Sequence, residues 1–199
     1  MSYPLTFPNV GIVSIVPRLV HNNADSTSPF TGQQQIIKQS PAYWSFDLKI
    51  APDYADDAVA FEVWLHSLQG TFGTFYFSYP VYPIQGTPLG TPLSGALAGD
   101  RLSIASTGWT ASKTGLLLPG DWISFPNGEY KRVAQQVNSD GSGNATIHFF
   151  PEMRVAPTVG TAITTIGAKG IFRLTTEVID MKIEALVNFG AQFVIREAF

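Results

Sequence analysis

Any chemistry in this chain has to come from few side chains. The carboxylates Asp121, Glu129 and Glu152 are the residues a glycoside-cleaving site would draw on, one as acid and one as base or nucleophile. A cell-wall-degrading activity needs two of them to converge, and their spacing gives no reason that they do. The histidines His21, His66 and His148 stand singly, none in an H-E-x-x-H or comparable metal spacing. His66 follows Glu62 by four residues, the spacing of an exposed helical pair. In "NSDGSGNATIHFF", Asn138, Asp140, Gly141 and Gly143 gather ahead of a strand. Oxygen ligands so placed suggest a calcium loop, but the ladder of acids closing on a glutamate is missing, and Asp-Gly is the chemistry of a hairpin turn. No G-x-S-x-G elbow, Walker loop or dinucleotide glycine fingerprint occurs. No catalytic site, metal or cofactor is expected. Trp109, Trp122 and Tyr130 raise a different possibility, a stacking platform for sugar rings. The competing role is the core of a small barrel, favoured because aromatics dominate small cores; the alternation of Trp122, Ser124 and Phe125 leaves both open.

The elements that would position these residues are mostly strands. In "YWSFDLKI", Trp44, Phe46, Leu48 and Ile50 share one face, while Tyr43, Ser45, Asp47 and Lys49 share the other. The period then changes: Phe61, Trp64, Leu65 and Leu68 recur at helical spacing, acidic residues crowd the start, and Gly70 stands where a C-terminal cap belongs. A helix over about residues 55–69 follows. "TFGTFYFSYP" returns to strand character, with Phe75, Phe77 and Tyr79 on one face and Pro80 ending it. From residue 83 to about 167 a Gly/Pro/Ser-rich crossing leads to short strands around Leu102–Ile104, Trp122–Phe125, Tyr130–Val133 and Ala145–Phe150, a spacing that suits a small five-stranded barrel or sandwich. The stretch is electrically neutral, with Arg101, Lys113, Lys131, Arg132 and Arg154 against Asp100, Asp121, Glu129, Asp140 and Glu152. After Gly170 alternation resumes in two strands that read as a hairpin, the last carrying Phe189, Ala191, Phe193 and Ile195 on one face. One β domain interrupted by a second fits this order, and the ends of the insert must then lie close together.

Composition narrows the function classes. The 199 residues are 45% apolar and 13% aromatic, ample for a core, yet only 14% are charged, below the usual share of about 25%. Much of the surface is therefore Ser, Thr, Gln, Asn and Gly, which suits protein neighbours. A net charge of −3 supplies no basic field for sequence-specific DNA binding. There is no cysteine, so disulfides and thiolate metal sites are excluded. "MSYPLTFPNVGIVSIVP" lacks a basic start and is broken by proline, and no stretch nears the roughly 20 apolar residues of a membrane-spanning helix. The expectation is a cytoplasmic product without membrane insertion.

Several separated stretches agree, in order, with one family. "SPFTGQQQ" before an aromatic strand, "FEVWLHSLQGTFGTFYF" with its acidic-start helix, "LLLPGDWISF", "YKRVAQQVNSDGSGNATIHFFPEMRVAP" and "GAKGIFRL" make the chain resemble the distal tail (minor tail) proteins of long-tailed, siphovirus-type bacteriophages. That resemblance implies a mainly β fold: a tail-tube-like β-sandwich with one flanking helix, formed by residues 1–82 and 168–199, carrying an inserted OB-like β-barrel over 83–167. It implies a structural virion protein rather than an enzyme, assembled in the host cytoplasm into a homo-oligomeric, hexameric ring at the distal end of the tail. The implied partners are the tail tube protein, the baseplate hub and the tail fibres, with DNA passing transiently through the lumen. Within that frame the polar stretch from Asn22 to Gln35 reads as a long loop reaching over a neighbouring subunit or ring. Thr31 and Gly32 supply its bend, and Gln33, Gln34 and Gln35 offer amides that bring no like-charge repulsion. Asp180 and Glu184, alternating with Lys182, are candidates for a weakly repelling lumen wall. The main alternative is a tail-associated carbohydrate-binding module using Trp109, Trp122 and Tyr130.

Overall fold

The alternation of Trp44, Phe46, Leu48 and Ile50 builds the centre of the fold: all four are buried, while Lys49 on the opposite face is exposed. The computed structural model describes residues 2–51, 55–80, 83–178, 181–184 and 188–198. Strand β3 (Gln34–Ile50) lies between β2 (Ile12–Thr27) and β12 (Asn188–Glu197), both antiparallel to it, with Leu48 opposite Phe193 and Phe46 opposite Ile195. The sheet continues through β10 (Gly170–Leu174) and β4 (Thr74–Phe77) to β1 (Leu5–Thr6), which joins β4 in parallel; β11 (Met181–Glu184) also pairs with β12. Its seven strands thus come from the two ends of the chain.

Helix α1 (Ala55–Ser67) covers this sheet, with Ala58, Phe61 and Leu65 buried and Asp56 and Asp57 in the first turn, where they complement the helix dipole. Phe61 stacks near Phe193, and Trp64 meets Phe7 and Phe75 edge-on at 5.2 and 5.0 Å between ring centroids. Past the helix, Leu68 is fully buried and Gly70 adopts φ +67°, the left-handed turn that glycine makes without a Cβ penalty.

The middle of the chain forms a second, five-stranded sheet in the order β5 (Gly90–Leu97), β6 (Ser103–Trp109), β9 (Ala145–Phe150), β8 (Tyr130–Val133), β7 (Trp122–Ser124). The stretch expected as a Gly/Pro/Ser-rich crossing is therefore a strand over Gly90–Leu97. It escapes the usual cost of Pro92 because it is an edge strand with an irregular register. Its outer side bonds to residues 161–163: Ser94 N–H to Thr161 O at 2.8 Å and Ile163 N–H to Pro92 O at 2.9 Å. Thr164 then exchanges two backbone bonds with Ser124 on the opposite edge strand. One short segment so satisfies both edges.

Two apolar clusters result. The second lies within the middle sheet and includes Ile104, Trp109, Ile147 and Phe149. The first belongs to the outer sheet and helix but also takes in Trp122 and Tyr130 from β7 and β8. Phe46 is at its centre, fully buried among the rings of Phe77, Tyr79, Trp122 and Phe172. Phe46→Ala is expected to cost about 3–5 kcal/mol and to lower the melting temperature by about 10 °C. A loss under about 1 kcal/mol in denaturant unfolding would show that the sheets share no such core.

Candidate assembly surface

Residues 22–35, expected as a long loop, belong instead to the outer half of the β2–β3 hairpin, which runs over residues 22–39. Asn22 pairs with Gln39, Asp25 with Ile36 and Thr27 with Gln34. Thr31 and Gly32 do form the bend: Gly32 has φ +67° and donates to Ser28 O at 2.9 Å, and Ser28 N–H to Gln33 O at 2.9 Å closes the turn. Gln34 and Gln35 are strand residues opposite Thr27 and Ser26. The ladder was hidden because polar residues occupy both faces, so the period of two leaves no hydrophobic trace. Residues 34–39 are all exposed. Ile36 and Ile37, 62% and 53% exposed, are consecutive and so face opposite sides, and Phe30 at the tip is 95% exposed. These three were missed, although a phenylalanine between Pro29 and Thr31 in a polar turn is itself a signal.

At the other end of β2 lies a groove. Residues 7–11 cross from β1 to β2, the two outermost strands of the curled sheet. They leave a cleft of about 590 Å³ walled by Phe7, Val10, Ile12, Ile15, Tyr76 and Phe77, with Ser14 and Lys169 also lining it. Lys169 is its one charged lining residue; it is exposed and makes no salt bridge among the described residues. β2 pairs with β3 on one side only and carries the exposed Val13 and Val16.

Behind the arm, charged side chains join the two sheets. Glu129 and Lys131 of β8 and its approach form a buried pair at 2.6 Å. Arg154 reaches Glu129 at 3.2 Å and grips Glu197 of β12 with two bonds of 3.1 and 3.2 Å. Glu129 also accepts the backbone N–H groups of Arg154 and Val155, and Glu197 accepts that of Trp44. Lys38, on the arm, pairs with Glu152 at 2.6 Å. Burial alone would push the Glu129 carboxyl up, but Lys131 and Arg154 together hold it below its ordinary value. Beside this joint Trp122 and Tyr130 stack at 4.5 Å and 8°, and β10 can lie against them because Gly170 has no Cβ, which would fall 2.7 Å from that of Tyr130.

No protein-family model matches this chain, and no curated protein matches it.

The geometry corrects the stacking platform. Trp109, Trp122 and Tyr130 are all buried. Trp109 donates its indole N–H to Ser106 Oγ at 2.8 Å, one side of Trp122 is covered by Tyr130 while Arg132 lies 5.5 Å from its ring centroid, and the Tyr130 hydroxyl accepts from Tyr79 N–H. No free ring face is left for a sugar. The carboxylates are engaged too: Asp121 accepts backbone N–H groups of Gln85, Gly86 and Leu118, while Glu129 and Glu152 belong to the charged joint. Asp140 accepts from Asn144 and Ser142, which keeps its carboxyl below the usual range and closes the expected turn. Of the lumen candidates, Asp180 lies outside the described residues, and Lys182 and Glu184 are placed by backbone only, in β11 opposite Gly190 and Asn188.

Arg154→Ala would strip Glu197 of its bidentate partner and is expected to cost about 3–5 kcal/mol in denaturant unfolding. Because Glu129's folded value is depressed, its stabilisation is complete above the ordinary glutamate pKa of about 4.3 and is lost as pH falls through the lower folded value. Denaturant midpoints across that acid window should fall less steeply in Glu129→Gln than in the parent; identical slopes would mean that Glu129 does not drive the loss.

Proposed function

We propose that this chain is the subunit of a ring adaptor in a bacteriophage tail: a distal tail protein that joins the tail tube to the baseplate hub and fibres and surrounds the path of the ejected DNA. In this role the seven-stranded sheet with α1 is the tail-tube-like sandwich that forms the ring, and residues 83–167 are an inserted OB-like barrel. Supporting the barrel, residues 161–164 bond both edge strands of the middle sheet. The six-fold number comes from the family resemblance alone. Asp180, Lys182 and Glu184 remain the candidates for the lumen wall, and the protein turns over no substrate.

The observation that carries this proposal is the arm. A two-stranded ribbon alone in water is marginal, yet residues 22–39 stand outside both apolar clusters and expose Phe30, Ile36 and Ile37. Such a ribbon contributes little to its own subunit and much to whatever it touches. The low charge of the surface and the occupied states of Asp121, Glu129 and Glu152 agree with a scaffold role.

Electron microscopy and light-scattering mass, on the purified protein alone and with tail tubes, test the proposal; closed rings with a DNA-wide hole are expected, and a monomer that also fails to cap tubes would refute it. Replacing residues 24–34 by a short turn should shift the melting temperature by under about 2 °C, since few core contacts are lost, and should abolish assembly. Unchanged assembly would remove the arm from the mechanism.

A further inference from the structure

Taking the ring proposal as its basis, we infer that the arm docks in the groove of the next copy, Phe30 entering the cleft between β2 and β4, so that the subunits join head to tail. The tip presents one large apolar side chain, 95% exposed, on an ordered turn. The groove is the complementary feature, a cleft of about 590 Å³ walled largely by Phe7, Val10, Ile12, Ile15, Tyr76 and Phe77. A lone aromatic knob and an aromatic-lined cleft form the kind of anchor-and-pocket pair that dominates interface energies.

Charge adds register. Between residues 22 and 35 the arm carries one charged residue, Asp25, exposed and without a salt bridge among the described residues. The groove carries one of opposite sign, Lys169, in the same state. A pair of this kind near solvent adds little affinity, but it selects the orientation of docking.

Reach decides between the chain's own groove and another's. The groove is walled by the start of β2, Ile12–Ile15, whereas the tip follows its end at Thr27. At about 3.3 Å per residue, the strand from Ile15 to Thr27 spans roughly 40 Å. The tip therefore cannot fold back into the groove from which its own strand departs. Knob and hole are different surfaces of one molecule, so the contact is heterologous: it propagates from copy to copy and closes into a ring if the rotation permits, in contrast to a two-fold dimer.

The absence of cysteine makes the contact directly readable. Thr31→Cys puts a single thiol beside Phe30, and Ser14→Cys puts one on the exposed rim of the groove. The two variants, one mass-tagged, are mixed at high concentration and treated with a short bismaleimide. The mixed cross-link should exceed the Thr31→Cys self-link, fall about tenfold when Phe30→Ser is added to the arm variant, fall when Lys169→Glu is added to the groove variant, and recover when Asp25→Lys is then placed on the arm. Phe30, Lys169 and Asp25 are all exposed, so an unchanged melting temperature confirms that folding is not at issue. A mixed yield indifferent to Phe30→Ser, a self-link without a mixed product, or no cross-link would each overturn the docking. Rings in micrographs without the mixed cross-link overturn this docking and leave the ring standing; mixed cross-links among chains that never form rings overturn the ring and leave the docking.

Discussion

The guanidinium of Arg154, held between Glu129 and Glu197, must remain paired on both sides, because a carboxylate buried as deeply as Glu197 is costly once its counter-charge is gone. Glu197 belongs to the outer sheet, and Glu129 stands at the approach to β8 of the middle sheet. Any motion of the middle sheet against the outer one would break bonds of 3.1–3.2 Å in a largely buried site. The aromatic contact of Trp122 and Tyr130 with Phe46 and Phe172 supplies area, but area is non-directional. The forked, two-point grip of Arg154 on Glu197 supplies the angle. The geometry of the arm is inherited from this joint, since Lys38 on β3 pairs with Glu152, two residues before Arg154.

A mainly β fold with a single helix in the described residues was legible wherever one face of an element is buried. The alternation through Ile50, the helical spacing of Phe61 to Leu68 and the run Phe75–Phe77 each reflect a half-buried surface. Where both faces are wet, as in residues 22–27 and 34–39, the same backbone pattern leaves no apolar period, and a strand looks like a loop. β5 was hidden for the opposite reason: Gly90 and Pro92, ordinarily breakers, are tolerated at an edge whose partner is a distant segment near Thr161. The charged joint was also opaque. Glu129, Lys131 and Arg154 stand in sequence as ordinary balancing charges, and only the fold reveals that Glu129 and Lys131 are buried, that Arg154 is largely so, and that Glu197 answers them. Tryptophan and tyrosine were ambiguous by composition; the stacking of Trp122 on Tyr130 decides for core.

In the proposed assembly role, the arm is a polar ribbon that offers contacts without being a general adhesive. Its amides can donate and accept, so they can satisfy a neighbour's backbone or side chains without a net field. The exposed apolar residues are spaced out, at Phe30 and at Ile36–Ile37, rather than fused into one broad patch of the sort that drives aggregation. Like a short key, it has one large tooth.

The position of β12 between β3 and β10 has a consequence for how the chain acquires its structure. The β2–β3 ribbon is local and can form quickly, whereas β12 must find β3 across more than a hundred residues of intervening chain, a pairing of high contact order. Until it does, β3 and β10 both present raw edges, and the β12 of another molecule is as good a filler as its own. Folding at high concentration therefore carries a risk of strand exchange at this slot, and the synthesis rate and crowding of the cell become parameters of how much correctly closed protein is obtained.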